Sequence, residues 1–493
     1  MQGIWTTERI REAEGKLFAV TPDGELMRRA SFGLATHLAE FLIERTGGVA
    51  GRRVVLLVGS GDNGGDALWA GAFLRRRSVA VTAVLLKPEK AHARGLAALK
   101  RAGGRVVSVE DSPQWIKKAD VVVDGIVGIS GKGPLRPDAK ELVDQVRAPI
   151  VAVDLPSGVD PDTGATDGPH VTADLTVTFG APKPVHALAP QQCGDVVLVD
   201  IGLRPELGEP DLRRLELTDL ADLWPIPGAG DDKYTQGVVG IAAGSATYPG
   251  AAVLASGSAV RATAGMVRYA GPAADVVRSR WPEIVATGSV TDAGRVQAWV
   301  VGPGIGTGSE GRDVLRHILG QGVPVCADAD ATTIIAQHPD VLDARDPDTP
   351  LVLTPHAGEY ERLMGTRPGA DRVKAARDAA RKYNAVVLLK GYCTVIAAPD
   401  GRVAVNTPRG SWLATAGSGD VLTGLVGSLL AAGLDPWLAA AAGAQVHSLA
   451  GALAADGVPT SASGLVDAIP GALKLVRGTT GNTDVEVIEL PVN

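Results

Sequence analysis

The sequence has few cysteines, and this excludes two kinds of stabilising framework. Three occur in 493 residues, at Cys193, Cys326 and Cys393. Their odd number and wide spacing fit neither a set of disulfides nor the paired ligands of a zinc site. We therefore expect a cytoplasmic protein in a reducing compartment.

Excess positive charge and a membrane-spanning segment are also missing. The 48 Lys and Arg residues are outnumbered by 55 Asp and Glu residues, and no basic stretch is interleaved with aromatic residues. We therefore expect no nucleic-acid partner. Charged residues from Glu8 onward interrupt any signal-peptide core. The uncharged stretch 436–455 contains Pro436, Gln445 and His447, so we expect a buried helix and no membrane partner.

The length and the hydrophobic pattern indicate more than one domain. At roughly 150 residues per domain, the chain has room for two to four. Short β-branched runs alternate with helical stretches over 53–153 and again over 238–397, which predicts parallel sheets covered by helices. A strongly helical stretch follows at 420–455. We predict two α/β domains, 1–215 and 231–493, joined by a polar, proline-bearing linker at 216–230.

A glycine-rich turn follows the first predicted strand of the N-terminal half. It reads Gly-Ser-Gly-Asp-Asn-Gly-Gly-Asp over 59–66 and leads into an apolar helix. Glycines at a helix N-terminus let backbone N–H groups hold phosphate. The spacing matches neither the dinucleotide fingerprint nor the P-loop. A tight structural turn is the alternative interpretation.

Polar residues end two further strands of this half, at Asp124 and at Asp154 to Ser157. In an open parallel sheet, ligands bind outside the carboxyl ends of the strands, so these clusters can meet in one crevice. Asn63, Asp124 and Ser157 offer oxygen ligands, which suit a hard cation. Asp154 is a candidate acid or base, and turn bonding is its alternative role.

These motifs, with Ala173 to Lys183, resemble the NAD(P)H-hydrate epimerase domain. The resemblance implies a Rossmann-like three-layer αβα sandwich that binds NADHX and NADPHX, the hydrated forms of NADH and NADPH. It implies potassium bound by Asn63, Asp124 and Ser157, and a loop that closes over the substrate. The substrate-binding residues that it implies are Asp62, Asn63, Gly64, Gly65, Asp66, Gly128, Ile129, Ser130, Gly131, Lys132, Gly133, Pro134 and Asp154, with Asp154 also catalytic.

A second glycine-rich run, at 414–424, opens a helix in the C-terminal half. N–H groups of Gly417 and Gly419 can form an anion hole for a transferring phosphoryl group, and Asp420 can deprotonate a substrate hydroxyl. A helix-capping aspartate is the alternative. Other strand ends carry Gly302–Gly306, Asp328, His356 with Glu359, and Lys390 to Thr394, the last of which suits nucleotide phosphates. The alternatives are a hydrogen-bonded loop residue for His356 and a charge in the first turn of a helix for Glu359. The sequence leaves open whether the Asp328 carboxylate faces a ligand or solvent.

Together with Lys233, Gly244 and Tyr248 to Ala251, these motifs resemble the ribokinase-like fold, and within it the ADP-dependent (S)-NAD(P)H-hydrate dehydratase. The resemblance implies a ribokinase-like αβα domain, ADP as co-substrate, and magnesium beside Glu359. It places the hydrate near Ala251, Gly304, His356 and Asp420. It places ADP near Lys390, Gly391, Tyr392, Cys393, Thr394 and Gly419.

The two resemblances together imply a repair enzyme. Its first domain would interconvert the R and S hydrates, and its second would dehydrate the S form while ADP gives AMP and phosphate. Asp420 would take the proton of the ring hydroxyl. The alternatives are a ribokinase-like vitamin or sugar kinase, and a noncatalytic N-terminal binding module like those of messenger-RNA decapping scaffolds. We also expect a homo-oligomer.

Overall fold

A computed structural model describes residues 1–131, 133–408 and 410–478. The chain divides into two compact units, one of Gly3–Leu212 and one of Met1–Gln2 with Arg213 onward. Each unit contains one sheet with helices packed on it. The prediction of an α/β fold is confirmed.

The first half of the chain alternates strands and helices, as the β-branched runs predict. Within the described part of this half, the elements are β1 (Gln2–Ile4), α1 (Thr7–Val20), α2 (Glu25–Thr46), β2 (Arg53–Val58), α3 (Asp62–Arg76), β3 (Ala80–Leu85), α4 (Ala93–Arg101), β4 (Arg105–Val107), α5 (Pro113–Ile116), β5 (Val121–Gly125), α6 (Pro137–Val143), β6 (Ile150–Val153), β7 (Leu175–Phe179), α7 (Pro184–Leu188), α8 (Pro190–Cys193) and β8 (Asp195–Val199).

The sheet of the first unit is parallel throughout. Its strand order is β4-β3-β2-β5-β6-β7-β8. The chain therefore builds outward from β2 in one direction and then returns to continue from β5 in the other. The carboxyl ends of β2 and β5 flank this switch point, where open α/β sheets bind ligands.

The second half begins with a short strand and a helix, followed by a longer alternating series. The elements are β9 (Leu212–Arg214), α9 (Leu217–Leu223), β10 (Val238–Ala242), α10 (Pro249–Arg261), β11 (Met266–Ala270), α11 (Ala274–Arg280), β12 (Val285–Thr287), β13 (Ala298–Val301), α12 (Ser309–Leu319), β14 (Val325–Ala327), α13 (Asp330–Gln337), β15 (Leu351–Leu353), α14 (Ala357–Met364), α15 (Arg372–Tyr383), β16 (Val386–Leu389), β17 (Thr394–Ala397), β18 (Val403–Asn406), α16 (Ser418–Ala431), α17 (Pro436–Ala455) and α18 (Ala462–Gly478).

The sheet of the second unit has a parallel centre and an antiparallel side. Its order includes β9-β18-β17-β16-β15-β14-β13-β10-β11-β12, and β17 runs antiparallel to both β16 and β18. The switch point lies between β10 and β13, which are parallel neighbours. Helices α10, α16, α17 and α18 pack against one another in the core of this unit.

The helical stretch expected at 420–455 is formed by α16 and α17, and α17 spans Pro436–Ala455 as the sequence predicts. The Asp435 carboxylate caps α17 by accepting from the Trp437 and Leu438 amides, and Pro436 occupies the first helical position. One sequence expectation differs from the structure. The range assigned to the linker contains α9, whose Leu220 is buried in the core of the second unit together with Trp224.

Helix α17 is long and apolar, and most of it is buried within the second unit. Among the described residues it is the one helix with the length and composition to cross a membrane. Of its 18-residue apolar stretch, 78% is buried inside the protein. The core helix of a globular domain has the same character. The three cysteines are all buried, and none of them forms a disulfide.

The contact between α10 and α16 predicts a steric requirement for glycine at position 424. A Cβ there would lie 1.9 Å from Oγ of Ser258 and 2.2 Å from the carbonyl oxygen of Ala255. We expect Gly424→Ala to lower the free energy of unfolding by at least about 2 kcal/mol. The added methyl group would overlap the Ala255 carbonyl oxygen, which cannot move away without displacing the backbone of α10. Urea unfolding measures this. Gly288→Ala, where a Cβ meets nothing within 4 Å, is the control, and equal effects of the two changes would contradict the prediction.

Candidate functional sites

The first candidate site lies at the carboxyl edge of the N-terminal sheet. The turn after β2 leads into α3, Asp124 is the second-to-last residue of β5, and Asp154 to Ser157 directly follow β6. Since β2, β5 and β6 are neighbours in the sheet, the three motifs predicted from the sequence lie side by side.

The structure brings the three candidate potassium ligands together. The Ser157 hydroxyl donates to Asp124 Oδ1 at 2.7 Å, and the Ser157 amide donates to Asp124 Oδ2 at 2.8 Å. The Asn63 amide nitrogen donates to the Val153 carbonyl, and its side-chain oxygen lies where a Cβ on Gly128 would clash. Burial raises the pKa of Asp124. A cation here would offset that burial, since a positive charge favours the ionised carboxylate.

A cavity of about 350 Å³ opens beside these residues. Its walls include the turn 59–61, Gly128 and Ser130 from the predicted closing loop, and Gly131, Gly133 and Pro134 from the same loop. Ile129 instead packs its side chain against the hydrophobic core. Lys132, the remaining predicted member of this loop, lies outside the described residues.

The predicted nucleotide-binding run 62–66 forms the first turn of α3. Asp62 is exposed, while Gly64, Gly65 and Asp66 are buried. A Cβ at Gly64 would lie 2.4 Å from the Gly59 carbonyl oxygen, so this glycine lets the turn close on the helix. Burial raises the pKa of Asp66 well above its usual value, although Ser31 donates a hydrogen bond to this carboxyl.

Asp154 is held by a buried network that sequence reasoning did not assign. The Lys183 ammonium lies 2.6 Å from Asp154 Oδ1, and the Thr178 hydroxyl donates to the same oxygen at 2.9 Å. His186 Nε2 lies 2.9 Å from the Asp154 carbonyl oxygen and donates to it. Asp154 also has a φ of 69°, a left-handed conformation that is strained for a side chain other than glycine. The residue is thus fixed at both its backbone and its carboxylate.

The second candidate site lies at the carboxyl edge of the C-terminal sheet. Gly302 to Gly306 follow β13, Asp328 follows β14, His356 and Glu359 follow β15, and Lys390 follows β16. Asp420 is the third residue of α16 and lies in its first turn. The residue before the helix is Gly417, whose φ of 86° favours glycine. Burial and the neighbouring charge of Asp328 raise the pKa of Asp420 to about 6, against the opposing attraction of Lys390.

Lys390 is the central cation of this site. Its ammonium lies 2.6 Å from Asp328 Oδ1 and 3.6 Å from Glu359 Oε2. Burial lowers the pKa of Lys390, but the charges of Asp328 and Glu359 outweigh burial, and the pKa lies above its usual value. Lys390 therefore stays charged. The sequence left open whether Asp328 faces the site or solvent, and the structure places it against Lys390 with 2% of its side chain exposed.

His356 caps the helix that carries Glu359. Its Nδ1 accepts from the Gly358 and Glu359 amides, and the Glu359 carboxylate accepts from the His356 amide. Half of the His356 side chain remains exposed. The residue thus combines the capping role with access to the site.

A cavity of about 380 Å³ lies beside Lys390 and the start of α16. His356, Lys390, Gly391, Tyr392, Thr394 and Gly419 line it, as does the buried His447 of α17. Cys393 does not line it, because its side chain is buried beneath the loop. Burial also raises the pKa of the Cys393 thiol to about 12.

The two remaining predicted hydrate-binding residues meet each other on the α10 side. A Cβ on Gly304 would lie 3.5 Å from the Cβ of Ala251, and the φ of Gly304 is 69°. Helix α10, which begins at Pro249, packs along α16. Ala251 and Asp420 thus lie near the starts of two neighbouring helices.

The two sites offer different oxygen donors to the two expected metals. Among the described residues, no group of three or more His, Cys, Asp or Glu side chains is arranged to hold a metal ion. Magnesium in phosphoryl-transfer sites is held largely by phosphate oxygens and one or two carboxylates. Asp328 and Glu359 are the carboxylates placed to take part. Asn63, Asp124 and Ser157 are the oxygen donors available to potassium.

The buried pair of Lys183 and Asp154 predicts a large stability effect. We expect Lys183→Met to lower the free energy of unfolding by about 3–5 kcal/mol, because a buried carboxylate loses its partner. Adding Asp154→Asn should restore much of this loss. Urea unfolding of the full chain measures both. Lys140→Met, which removes an exposed pair with Asp144, should change little, and a Lys183 effect no larger than this control would contradict the prediction.

The raised pKa of Asp420 predicts a pH-dependent cost in stability. Ionisation of a group whose pKa rises from 3.8 to about 6 on folding favours the unfolded state, so stability falls as pH rises between these values. We expect Asp420→Asn to stabilise the protein by up to about 3 kcal/mol at pH 8 and by little at pH 4. Thermal unfolding at both pH values is the measurement. The exposed Asp275→Asn is the control, and a destabilised Asp420→Asn at pH 8 would refute the assignment.

Both halves of the chain match models of known families. Residues 23–185 match the family described as YjeF-related protein N-terminus. Residues 239–470 match the family described as NAD(P)H-hydrate dehydratase. The first range includes Asn63, Asp124 and Asp154, and the second includes Lys390 and Asp420.

Whole-chain relatives carry both halves. The chain is 54% identical over 481 residues to the bifunctional NAD(P)H-hydrate repair enzyme Nnr of Mycobacterium leprae (strain TN), covering 96% of this chain and 99% of the relative. It is 56% identical over 444 residues to the protein of the same name from Mycobacterium tuberculosis (strain ATCC 25618 / H37Rv), covering 90% and 92%. Among solved structures, it is similar to the ADP/ATP-dependent NAD(P)H-hydrate dehydratase from Bacillus subtilis co-crystallised with ATP and Mg²⁺, with 27% identity, a TM-score of 0.49, and coverage of 54% of this chain and 99% of the other.

Identity above one half over nearly the whole length, with a matched family in each half, shows that the chain belongs to the bifunctional NAD(P)H-hydrate repair enzymes.

Proposed function

We propose that the first unit interconverts the R and S forms of NADHX and NADPHX, and that the second unit dehydrates the S form while ADP is converted to AMP and phosphate. The two units correspond in this proposal to the epimerase and dehydratase domains. The observation that carries the second activity is Asp420 at the start of α16, with Gly417 before it, Lys390 beside it and a pKa of about 6.

Asp420 acts as the general base of the dehydratase. A base whose pKa lies slightly below neutral is ionised at physiological pH and still accepts a proton readily. Asp420 takes the proton of the ring hydroxyl, and the hydroxyl oxygen attacks the β-phosphorus of ADP, so that AMP leaves. The ring nitrogen lone pair then expels phosphate by breaking the carbon–oxygen bond. Loss of a proton from the adjacent ring carbon completes the dihydropyridine.

The surrounding residues position and stabilise the phosphates. Gly419 presents its backbone at the helix N-terminus, where N–H groups and the helix dipole favour anions. Lys390 offers a positive charge that Asp328 and Glu359 keep in place. Magnesium, when bound, neutralises phosphate charge. Ala251, Gly304 and His356 contact the hydrate, and Lys390, Gly391, Tyr392 and Thr394 contact ADP.

Asp154 is the acid or base of the epimerase. Lys183, Thr178 and His186 hold it in one orientation directly after β6. Residues 62–66 and the loop 128–134 bind the substrate, and potassium binds among Asn63, Asp124 and Ser157. The first residues of α3 supply backbone N–H groups to the nucleotide phosphates. A cytoplasmic location and a homo-oligomeric state also remain predictions.

One assay tests both activities in the full chain. Mixed R and S NADH hydrate is incubated with the protein, ADP, magnesium and potassium, while recovery of the reduced-nicotinamide absorbance and formation of AMP are followed. We expect complete recovery with the native chain. Recovery of the S share alone would refute epimerisation, and a stable phosphorylated product without recovery would identify a kinase.

Single substitutions separate the two sites in the same assay. Asp420→Asn should reduce turnover at least a thousandfold while ADP still binds, and Asp154→Asn should limit recovery to the S share. At pH values below about 6, the turnover rate of the native chain should decrease, because Asp420 becomes protonated. Asp275→Asn and Asp23→Asn, which change exposed carboxylates, are the matched controls. Normal turnover by Asp420→Asn would remove Asp420 from the role of base.

A further inference from the structure

A histidine lies in the middle of the apolar helix α17 and faces the cavity beside Asp420. His447 is 7% exposed, and it lines the cavity of about 380 Å³ together with Lys390 and Gly419. Its neighbours along the helix are mostly alanine, glycine and leucine. A buried imidazole is costly unless it forms hydrogen bonds, so its bonds indicate why this position is polar.

The hydrogen bonding of His447 assigns its tautomer. Nε2 lies 2.8 Å from the carbonyl oxygen of Ser418, which can only accept, so Nε2 carries the proton. Burial lowers the pKa of His447 to about 4, and the nearby positive charge of Lys390 acts in the same direction. The ring is therefore neutral near pH 7, and Nδ1 is a hydrogen-bond acceptor. Within the described ranges, no donor from the chain occupies Nδ1.

The bond from Nε2 ends at the turn that carries the proposed base. Ser418 lies between Gly417 and Gly419, two residues before Asp420 in the same helical turn. The Ser418 hydroxyl also donates to the Leu413 carbonyl at 2.8 Å. The start of α16 is thus fixed from two directions, and His447 supplies the bond from the neighbouring helix.

The charges around the cavity separate its phosphate side from its neutral side. Among the described residues, Lys390, His356 and Tyr392 are the other titratable residues on the cavity wall, and Asp328, Glu359 and Asp420 surround Lys390. Phosphate groups of a nucleotide are drawn to Lys390 and to the N-terminus of α16. They carry no hydrogen-bond donor at neutral pH, whereas the ribose hydroxyls and the exocyclic amine of adenine do. An acceptor at Nδ1 therefore suits the nucleoside part of the ligand.

We propose that His447 is a positioning residue that links the bound nucleotide to the catalytic turn. Its Nε2–H holds the Ser418 carbonyl and with it Asp420, and its Nδ1 accepts a hydrogen bond from the nucleoside of ADP. This inference rests on the proposed function in one respect, namely that ADP occupies the cavity.

Two substitutions separate the two ring nitrogens. The amide nitrogen of glutamine can occupy the place of Nε2, so His447→Gln should keep the bond to Ser418 and lose the acceptor at Nδ1. The side-chain oxygen of asparagine can occupy the place of Nδ1, so His447→Asn should keep the acceptor and lose the bond to Ser418. Thermal unfolding checks that both variants fold. His317→Gln and His317→Asn, at an exposed position of α12, are the matched controls.

Calorimetric ADP binding and hydrate turnover then give opposite patterns for the two variants. We expect His447→Gln to weaken ADP binding about 3- to 10-fold, the effect of one neutral hydrogen bond, with kcat within twofold of the native value. We expect His447→Asn to bind ADP normally and to lose at least tenfold in kcat. Equal losses in both variants, or none in either, would overturn the inference.

The proposed function fails separately from this inference. Absence of hydrate repair by the native chain, with ADP binding weakened by His447→Gln alone, would refute the dehydratase reaction and support the nucleoside contact. Full repair by the native chain and by both variants, with unchanged ADP affinity, would refute the role of His447 and leave the reaction intact.

Discussion

Parallel strand pairing determines where chemistry can occur in both units. In a parallel sheet all carboxyl ends lie at one edge, so residues far apart in sequence are brought together without any contact between their helices. Asp124 and Asp154 become neighbours in this way in the first unit, as do Asp328 and Lys390 in the second. In the first unit the site lies at the point where the strand order reverses, because the connecting helices diverge there and leave a crevice. In the second unit the cavity lies beside β16, β17 and β18, on one side of the switch point.

The two sites treat their central carboxylate differently. Asp154 is in direct contact with a buried ammonium, and further hydrogen bonds fix its backbone. Asp420 is near Lys390, but the ammonium is already bonded to Asp328, so burial and a like charge dominate and the pKa rises. The same residue types therefore give a tightly fixed carboxylate in one unit and an easily protonated one in the other.

The sequence predicts the strand-end motifs well because glycine turns and polar residues after apolar runs are local patterns. It does not identify Lys183, because the contact with Asp154 depends on the pairing of β6 with β7 and on the turn after β7. The sequence does not identify His447 as a cavity residue for a related reason. The apolar pattern of α17 predicts a buried helix but does not show which of its residues line a cavity. The helix in the expected linker was missed because its few apolar residues are separated by charged ones. Cys393 lies in the expected loop, but its side chain is buried, which the loop sequence alone does not indicate.

The burial of all three cysteines has a consequence for how the protein can be observed in solution. A thiol reacts with alkylating reagents as the exposed thiolate, and burial raises the pKa of Cys326 and Cys393. Modification therefore requires the surrounding structure to open. Cys193 belongs to the first unit, Cys326 to a central strand of the second, and Cys393 to the loop beside its cavity. The native chain thus contains three intrinsic probes, whose labelling rates report the opening of a helix, a sheet and a binding loop without any engineered residue.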